Sequence, residues 1–184
     1  MKIVLSLIFL LSSVFSLMAA AKNPPFESEN NFEKNTSYQV CFTPQDNCTQ
    51  LIIQLIDSAK TQIRGQIYSF TSKPIAKALV RAEKRGIDVQ IIYDQSNSDS
   101  HHYSLAPYLI KNHIPAYIDT VPGIAHNKVL IIDSQTVETG SFNYTQSAQE
   151  NNAENVLIIN SPQLAKQYLT NWQSRKAAAI QPTA

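Results

Sequence analysis

Apolar residues recur along this chain with two alternating periods, and the alternation itself points to a fold class. Leu51, Ile52, Leu55, Ile56 and Ala59 fall on one stripe of a helix, with Asp46 or Asn47 placed to cap it. Gln62 to Phe70 reads as a strand with Ile63, Ile67 and Phe70 among its core residues. Ser72 then caps a second helix that carries Pro74 in its first turn, runs to Arg85 and stops at Gly86. Ile87 to Tyr93 is a buried strand, a helix spans about Leu105 to Asn112, and Ile114 to Asp119 is again a strand. Val129 to Ile132 is an apolar strand inside a hairpin, followed by a short helical segment near Thr145 to Gln149. Val156 to Ile159 is the next strand, and a last helix runs from Pro162 to about Lys176; upstream, Tyr38 to Phe42 makes a short first strand.

Strands alternating with amphipathic helices predict an α/β domain with a mixed, mostly parallel sheet and helices on both faces. The chain has 184 residues, 43% of them hydrophobic, which suits one domain over 38–178 with a tail at 179–184. The first residues differ in kind. Lys2 precedes the apolar run Ile3 to Leu11, and Met18-Ala19-Ala20-Ala21 follows with small residues spaced for cleavage. Residues 1–21 therefore read as a secretory signal, cut after Ala21 or Ala19, and 22–37 as a flexible polar leader. A periplasmic or secreted protein is expected. In an oxidising compartment the only two cysteines, Cys41 and Cys48, suggest a disulfide joining the first strand to the start of the first helix.

Charge narrows the partners. Lys and Arg number 15 against 14 Asp and Glu, so removal of Lys2 with the signal leaves 14 against 14. A near-neutral protein cannot hold a polyanion by bulk charge and needs a local patch. The chemistry concentrates in His126-Asn127-Lys128, the strand after it, Asp133, and Gly140-Ser141-Phe142-Asn143. Side chains alternate along a strand, so His126 and Lys128 share a face, and Ser141 and Asn143 likewise. An imidazole beside a fixed cation, with uncharged donors nearby, suits the holding and attack of a phosphate.

The pattern His126-x-Lys128, Asp133, Gly140-Ser141-x-Asn143 resembles the HKD signature of the phospholipase D superfamily. Tyr68-Ser69-Phe70-Thr71-Ser72 and Asn152-Ala153-Glu154-Asn155 resemble its small, single-motif bacterial branch, typified by the endonuclease Nuc. The resemblance implies a phosphodiesterase in which His126 forms a phosphohistidine. It implies that Lys128 and Asn143 bind non-bridging oxygens with Ser141 nearby, and that Glu154 holds the other imidazole nitrogen of His126. Asp133 stands among the catalytic residues of the motif, yet its spacing from Lys128 has the wrong parity for the same face, which favours a structural anchor at the Asp133-Ser134 turn. No metal and no cofactor are expected, because no carboxylate cluster suited to magnesium adjoins the motif. The motif occurs once, while two-step transfer wants two imidazoles, so the resemblance implies a homodimer with the site on its twofold axis.

Three readings stay open: a nuclease acting on DNA or RNA, a phospholipase D acting on lipid headgroups, and a non-catalytic phosphate-binding module. Other residues carry less. His101 and His102 lie in a polar loop with Ser96, Asn97, Ser98 and Ser100, and His113 precedes a strand. Lys73, Lys77, Arg81, Lys84 and Arg85 could contact phosphates or simply form a solvated helix face, and Tyr168 and Trp172 read as core.

Overall fold

The structure, a computed structural model, describes residues 30–98 and 104–182. Its strands are β1 (Ser37–Phe42), β2 (Gln62–Ile67), β3 (Asp88–Asp94), β4 (Ala116–Asp119), β5 (Lys128–Ile132), β6 (Thr136–Gly140) and β7 (Asn155–Asn160). The helices are α1 (Cys48–Ser58), α2 (Lys73–Lys84), α3 (Ala106–Lys111), α4 (Gln146–Glu150) and α5 (Pro162–Ala178). These seven strands form one sheet in the order β1-β7-β6-β5-β2-β3-β4.

The sheet is mixed, but not mostly parallel as the sequence suggested. Only β2–β3 and β3–β4 pair in parallel, and the other four ladders among the described residues are antiparallel. The reason is connection length. Helices α2 and α3 provide the crossovers that parallel neighbours require, whereas β5 and β6 are joined by a tight turn. Asp133 and Ser134 both adopt positive φ, 53° and 55°, in a turn closed by Gln135 N–H to the Ile132 carbonyl at 2.9 Å, whose twist matches the flanking strands.

Register partners share a face, which sorts the core into two layers. Ile63, Ile67, Leu130 and Ile132 pack beneath α1, α2 and α3 against Ile52, Ile56, Ile75, Leu79 and Leu109. Val129, Ile131 and Val137 face α5 and meet Ala165 and Trp172. Helices thus cover both faces as expected, although the α5 layer is partly polar. Arg64 stacks on Trp172 at 5.3 Å, and the Trp172 indole donates to the Gly65 carbonyl at 3.0 Å.

Several element ends differ from expectation. Strand β2 stops at Ile67, paired with Lys128 at the start of β5, and Phe70 makes only a single bridge to Tyr144. Asn47 caps α1 by accepting from the Gln50 N–H, while Asp46 accepts from Phe42 N–H. Ser72 occupies the N-cap position of α2, but its side chain does not cap. Part of the expected tail joins the fold, since Ile180 bridges Ile118 on β4 through two backbone hydrogen bonds. Cys41 and Cys48 form the disulfide, tying β1 to the first turn of α1. The signal segment lies outside the described residues, and among those described no helix is long and apolar enough to cross a membrane.

Among the described residues, one buried polar side chain is completely excluded from solvent. Glu138 on β6 is fully buried on the α1–α2 side, where Tyr144 donates its hydroxyl proton to the carboxyl. Burial pushes the Glu138 pKa from 4.5 up to about 8, so it is mostly protonated at neutral pH. A carboxyl whose folded pKa is raised contributes its full stability below about pH 4.5, and that contribution is lost as pH rises to about 8. Glu138→Gln should therefore gain on wild type across that window, reaching on the order of several kcal/mol above pH 8. Chemical denaturation at pH 4.5, 6.5 and 8.5 checks this, and a difference that does not change with pH would contradict it.

Candidate functional site

The catalytic candidates gather at one end of the sheet because the β5–β6–β7 meander puts them there. β5 begins at Lys128, β6 ends at Gly140, and Gly140 is in register with Val156 near the start of β7. His126 sits just before β5 and is exposed; Lys128 is buried, at 5% exposure. The two side chains do share a face. The Lys128 ammonium lies 2.9 Å from His126 Nδ1 and donates to the His126 carbonyl at 2.8 Å. With the ammonium charged, Nδ1 can only accept, which leaves the ring proton on Nε2.

Tyr68, which follows β2, supplies a wall that sequence reasoning did not assign. Its ring lies 4.4 Å from the His126 ring and 4.9 Å from the Lys128 ammonium. The aromatic face stabilises a cation taken out of water. Desolvation pushes the Lys128 pKa below its ordinary value, and the charge of Glu154 partly opposes that shift. Asp94, also missed, is buried at the end of β3 and accepts from Ala125 N–H at 2.6 Å, which tethers the residue before His126. Burial would raise the Asp94 pKa, but hydrogen bonds from Ser96 and Ala125 and the charge of His126 hold it below the usual carboxylate value. The signal available for Asp94 was weak: a single acidic residue closing an apolar strand.

Ser141 and Glu154 meet directly. Ser141 Oγ donates to Glu154 Oε2 at 2.5 Å and accepts from Asn155 N–H at 3.0 Å. Asn152 Nδ2 donates to the other Glu154 oxygen at 2.8 Å. The expectation that Glu154 holds His126 is thus corrected within the chain. Its oxygens are taken by Ser141 and Asn152, its neighbours across the β6–β7 turn region, and Nδ1 of His126 faces Lys128 instead. Asn143 has a buried side-chain oxygen with no hydrogen bond among the described residues, and its backbone carbonyl accepts from Thr145 N–H at 2.7 Å. A buried acceptor left open is costly unless a ligand completes it.

Asp133 is removed from the catalytic set. It closes β5 at the end opposite Lys128, where its carboxylate accepts from the N–H groups of Lys60, Thr61 and Gln62 and from the Thr61 hydroxyl. Burial raises its pKa and these bonds more than reverse the effect. It anchors the α1–β2 connection to the hairpin turn, as its parity indicated. His113 adopts φ 65° just beyond α3 and serves as its left-handed terminator. His101 and His102 lie outside the described residues. Among the described residues, no group of three His, Cys, Asp or Glu side chains could hold a metal ion.

Comparison with known proteins agrees with this geometry. The family described as cardiolipin synthase, PLD-like domain matches residues 52–175. A Rickettsia prowazekii (strain Madrid E) protein named Phospholipase D is 44% identical over 168 residues, covering 91% of this chain and 80% of that one. The crystal structure of Nuc from Salmonella typhimurium, described as a phospholipase D family member, superposes with TM-score 0.76 and 42% identity, over 81% of this chain and 99% of that one. NucT from Helicobacter pylori gives TM-score 0.72 and 29% identity, over 80% and 99%.

The electrostatics yield a direct measurement. Lys128 should titrate below the exposed lysines in an isotope-edited NMR titration, because burial penalises its charge. Glu154→Gln should lower it further by removing the opposing anion. An unchanged or higher Lys128 midpoint in that variant would contradict the placement of the two groups.

Proposed function

This chain belongs to the phospholipase D superfamily, and from that premise we propose that it is an exported, metal-independent endonuclease acting through a phosphohistidine. As a phosphodiesterase of this superfamily it must neutralise a phosphodiester anion, attack phosphorus and protonate a departing oxygen. Lys128 and Asn143 neutralise and orient the non-bridging oxygens. The entering phosphate draws the Lys128 ammonium away from Nδ1, which frees the imidazole to carry its proton there and attack with Nε2. The nitrogen–phosphorus bond forms as the phosphorus–oxygen bond to the leaving group breaks. Water then cleaves the nitrogen–phosphorus bond, releases a phosphomonoester and restores His126.

The observation that favours nucleic acid over lipid is where the exposed apolar side chains lie. Tyr38, Val40 and Phe42 on β1 are in register with Ile159, Leu157 and Asn155, and Ile159 is in register with Val137, whose face is the α5 side. Lys128 belongs to the other face, with Leu130 and Ile132. That stripe therefore lies on the sheet face opposite Lys128, and near His126 the exposed large apolar side chain is Ile124, less than a bilayer-docked site requires. Phospholipid headgroup hydrolysis is the second reading, supported by the name of the Rickettsia prowazekii relative.

Purified mature protein should cut plasmid, single-stranded DNA or RNA in excess EDTA and leave phosphatidylcholine vesicles intact. His126→Ala should lose at least a factor on the order of a hundred in turnover. Activity abolished by EDTA and restored by magnesium or zinc would refute the phosphohistidine route. Hydrolysis of the vesicles alone would establish the lipid reading.

One motif per chain leaves the leaving-group acid to be supplied, and we infer a homodimer in which a second His126 supplies it in protonated form. The Glu154 carboxylate, unattached to its own imidazole, is consistent with that arrangement. When inactive His126→Ala subunits are exchanged with wild type, activity should fall as the square of the wild-type fraction under random pairing. A linear fall would show that each chain works alone.

A further inference from the structure

We propose that the cleft between the N-terminal ends of α1 and α2 and helix α4 is a second phosphate-binding site, one that holds a phosphate flanking the scissile one in a polynucleotide. This rests on the nucleic-acid reading above and gives it a physical basis for preferring a polymer. The cleft has a volume of about 730 Å³ and is lined by Ser72, Lys73, Thr49, Gln146 and Glu150 among others.

Ser72 is the informative residue. It is only 4% exposed, lines the cleft, and its hydroxyl makes no hydrogen bond among the described residues. Its own N–H donates to the Tyr144 carbonyl, so the residue is held rigidly while its side chain is left without a partner. The hydroxyl opens onto the cleft with no partner among the described residues, where a phosphate oxygen can accept its hydrogen bond. Lys73 follows at the first position of α2, where the helix dipole also favours an anion. Neither Lys73 nor Lys77, one turn on, forms an ion pair among the described residues, and both line a contiguous cleft of about 510 Å³. Arg81 is different, because its guanidinium is occupied by Asp57 at 2.8 Å. On the facing wall both Glu150 oxygens accept from Gln146 Nε2 at 2.9 Å.

Both walls continue from the catalytic segments. Thr71 and Ser72 lie just beyond Tyr68, whose ring touches His126 and Lys128, and their N–H groups donate to the carbonyl of Tyr144, the residue after Asn143. A strand whose scissile phosphate sits at His126 can therefore run on past Ser72 towards Lys73 and Lys77. A phosphatidylcholine headgroup ester has no second phosphate to place there.

The test compares wild type, Ser72→Ala and Lys73→Ala/Lys77→Ala on two substrates, bis(4-nitrophenyl) phosphate and a single-stranded oligonucleotide of about twenty nucleotides, over a salt series. In the double variant the ratio of oligonucleotide to ester kcat/KM should fall about tenfold. The slope of log kcat/KM against log salt for the oligonucleotide should become shallower by roughly 0.7 for each phosphate that is no longer neutralised. Ser72→Ala should lower the ratio without changing the slope, since it removes no charge. An unchanged ratio and slope, or an equal loss on both substrates, overturns the second site while leaving the nuclease reading intact. Wild-type protein that hydrolyses the ester but no polynucleotide overturns that reading and the second site with it.

Discussion

Gly140 lies so close to the Asn155 backbone that a β-carbon there would fall 2.2 Å from the Asn155 carbonyl oxygen, and the arrangement of the catalytic end depends on that approach. No residue with a side chain can occupy the position without moving β7 away from β6. Because the approach is allowed, the Asn155 carbonyl accepts from both Ser141 and Phe142 N–H groups, and Ser141 Oγ reaches Asn155 N–H and Glu154. The chain then crosses to Tyr144, which is buried beside Phe70 and accepts from Thr71 and Ser72. A single absent side chain thus lets three separate segments, those of Tyr68, Asn143 and Glu154, be held in one constellation.

Around that constellation the structure accepts costs that a purely structural domain would avoid. Lys128 is desolvated and held by a carbonyl, an imidazole and an aromatic face rather than by a directly bonded carboxylate. A carboxylate in direct contact would neutralise the charge and compete with a phosphate for it. Glu154 is near enough to favour the charged form, but its oxygens are bonded elsewhere. Glu138 and the side-chain oxygen of Asn143 are further buried polar groups incompletely satisfied, and both lie on or beside the Gly-Ser-x-Asn segment. A desolvated cation and an open buried acceptor at the end of the sheet are what a preorganised anion site requires.

Much of the fold was legible along the chain because apolar periodicity is a local signal. The described strands and helices fall close to their expected positions, and the hairpin turn at Asp133-Ser134 was placed correctly. Strand direction was not legible. A sequence pattern shows which residues are buried in a strand, but not whether its neighbour runs with it or against it, so beyond the β5–β6 hairpin the antiparallel pairings of β2 with β5, β6 with β7 and β7 with β1 were missed. The end of β2 was overestimated for the same reason, since Phe70 looks like a strand residue until the pairing partner runs out at Lys128.

At the site, the sequence by itself determined the chemical types, the shared face of His126 and Lys128, and the separation of Asp133 from them. Spacing and alternation are enough for those conclusions, because they depend on residues only a few positions apart. Only the tertiary structure decided that Tyr68 walls the cation, that Asp94 tethers the His126 segment, and that Glu154 bonds Ser141 and Asn152 instead of its own imidazole. It also decided that Ser72 keeps its hydroxyl for the cleft rather than for its helix. These pairings bring together side chains from distant parts of the chain, and their geometry follows from how the sheet ladders and helices pack, which no local pattern of residues encodes.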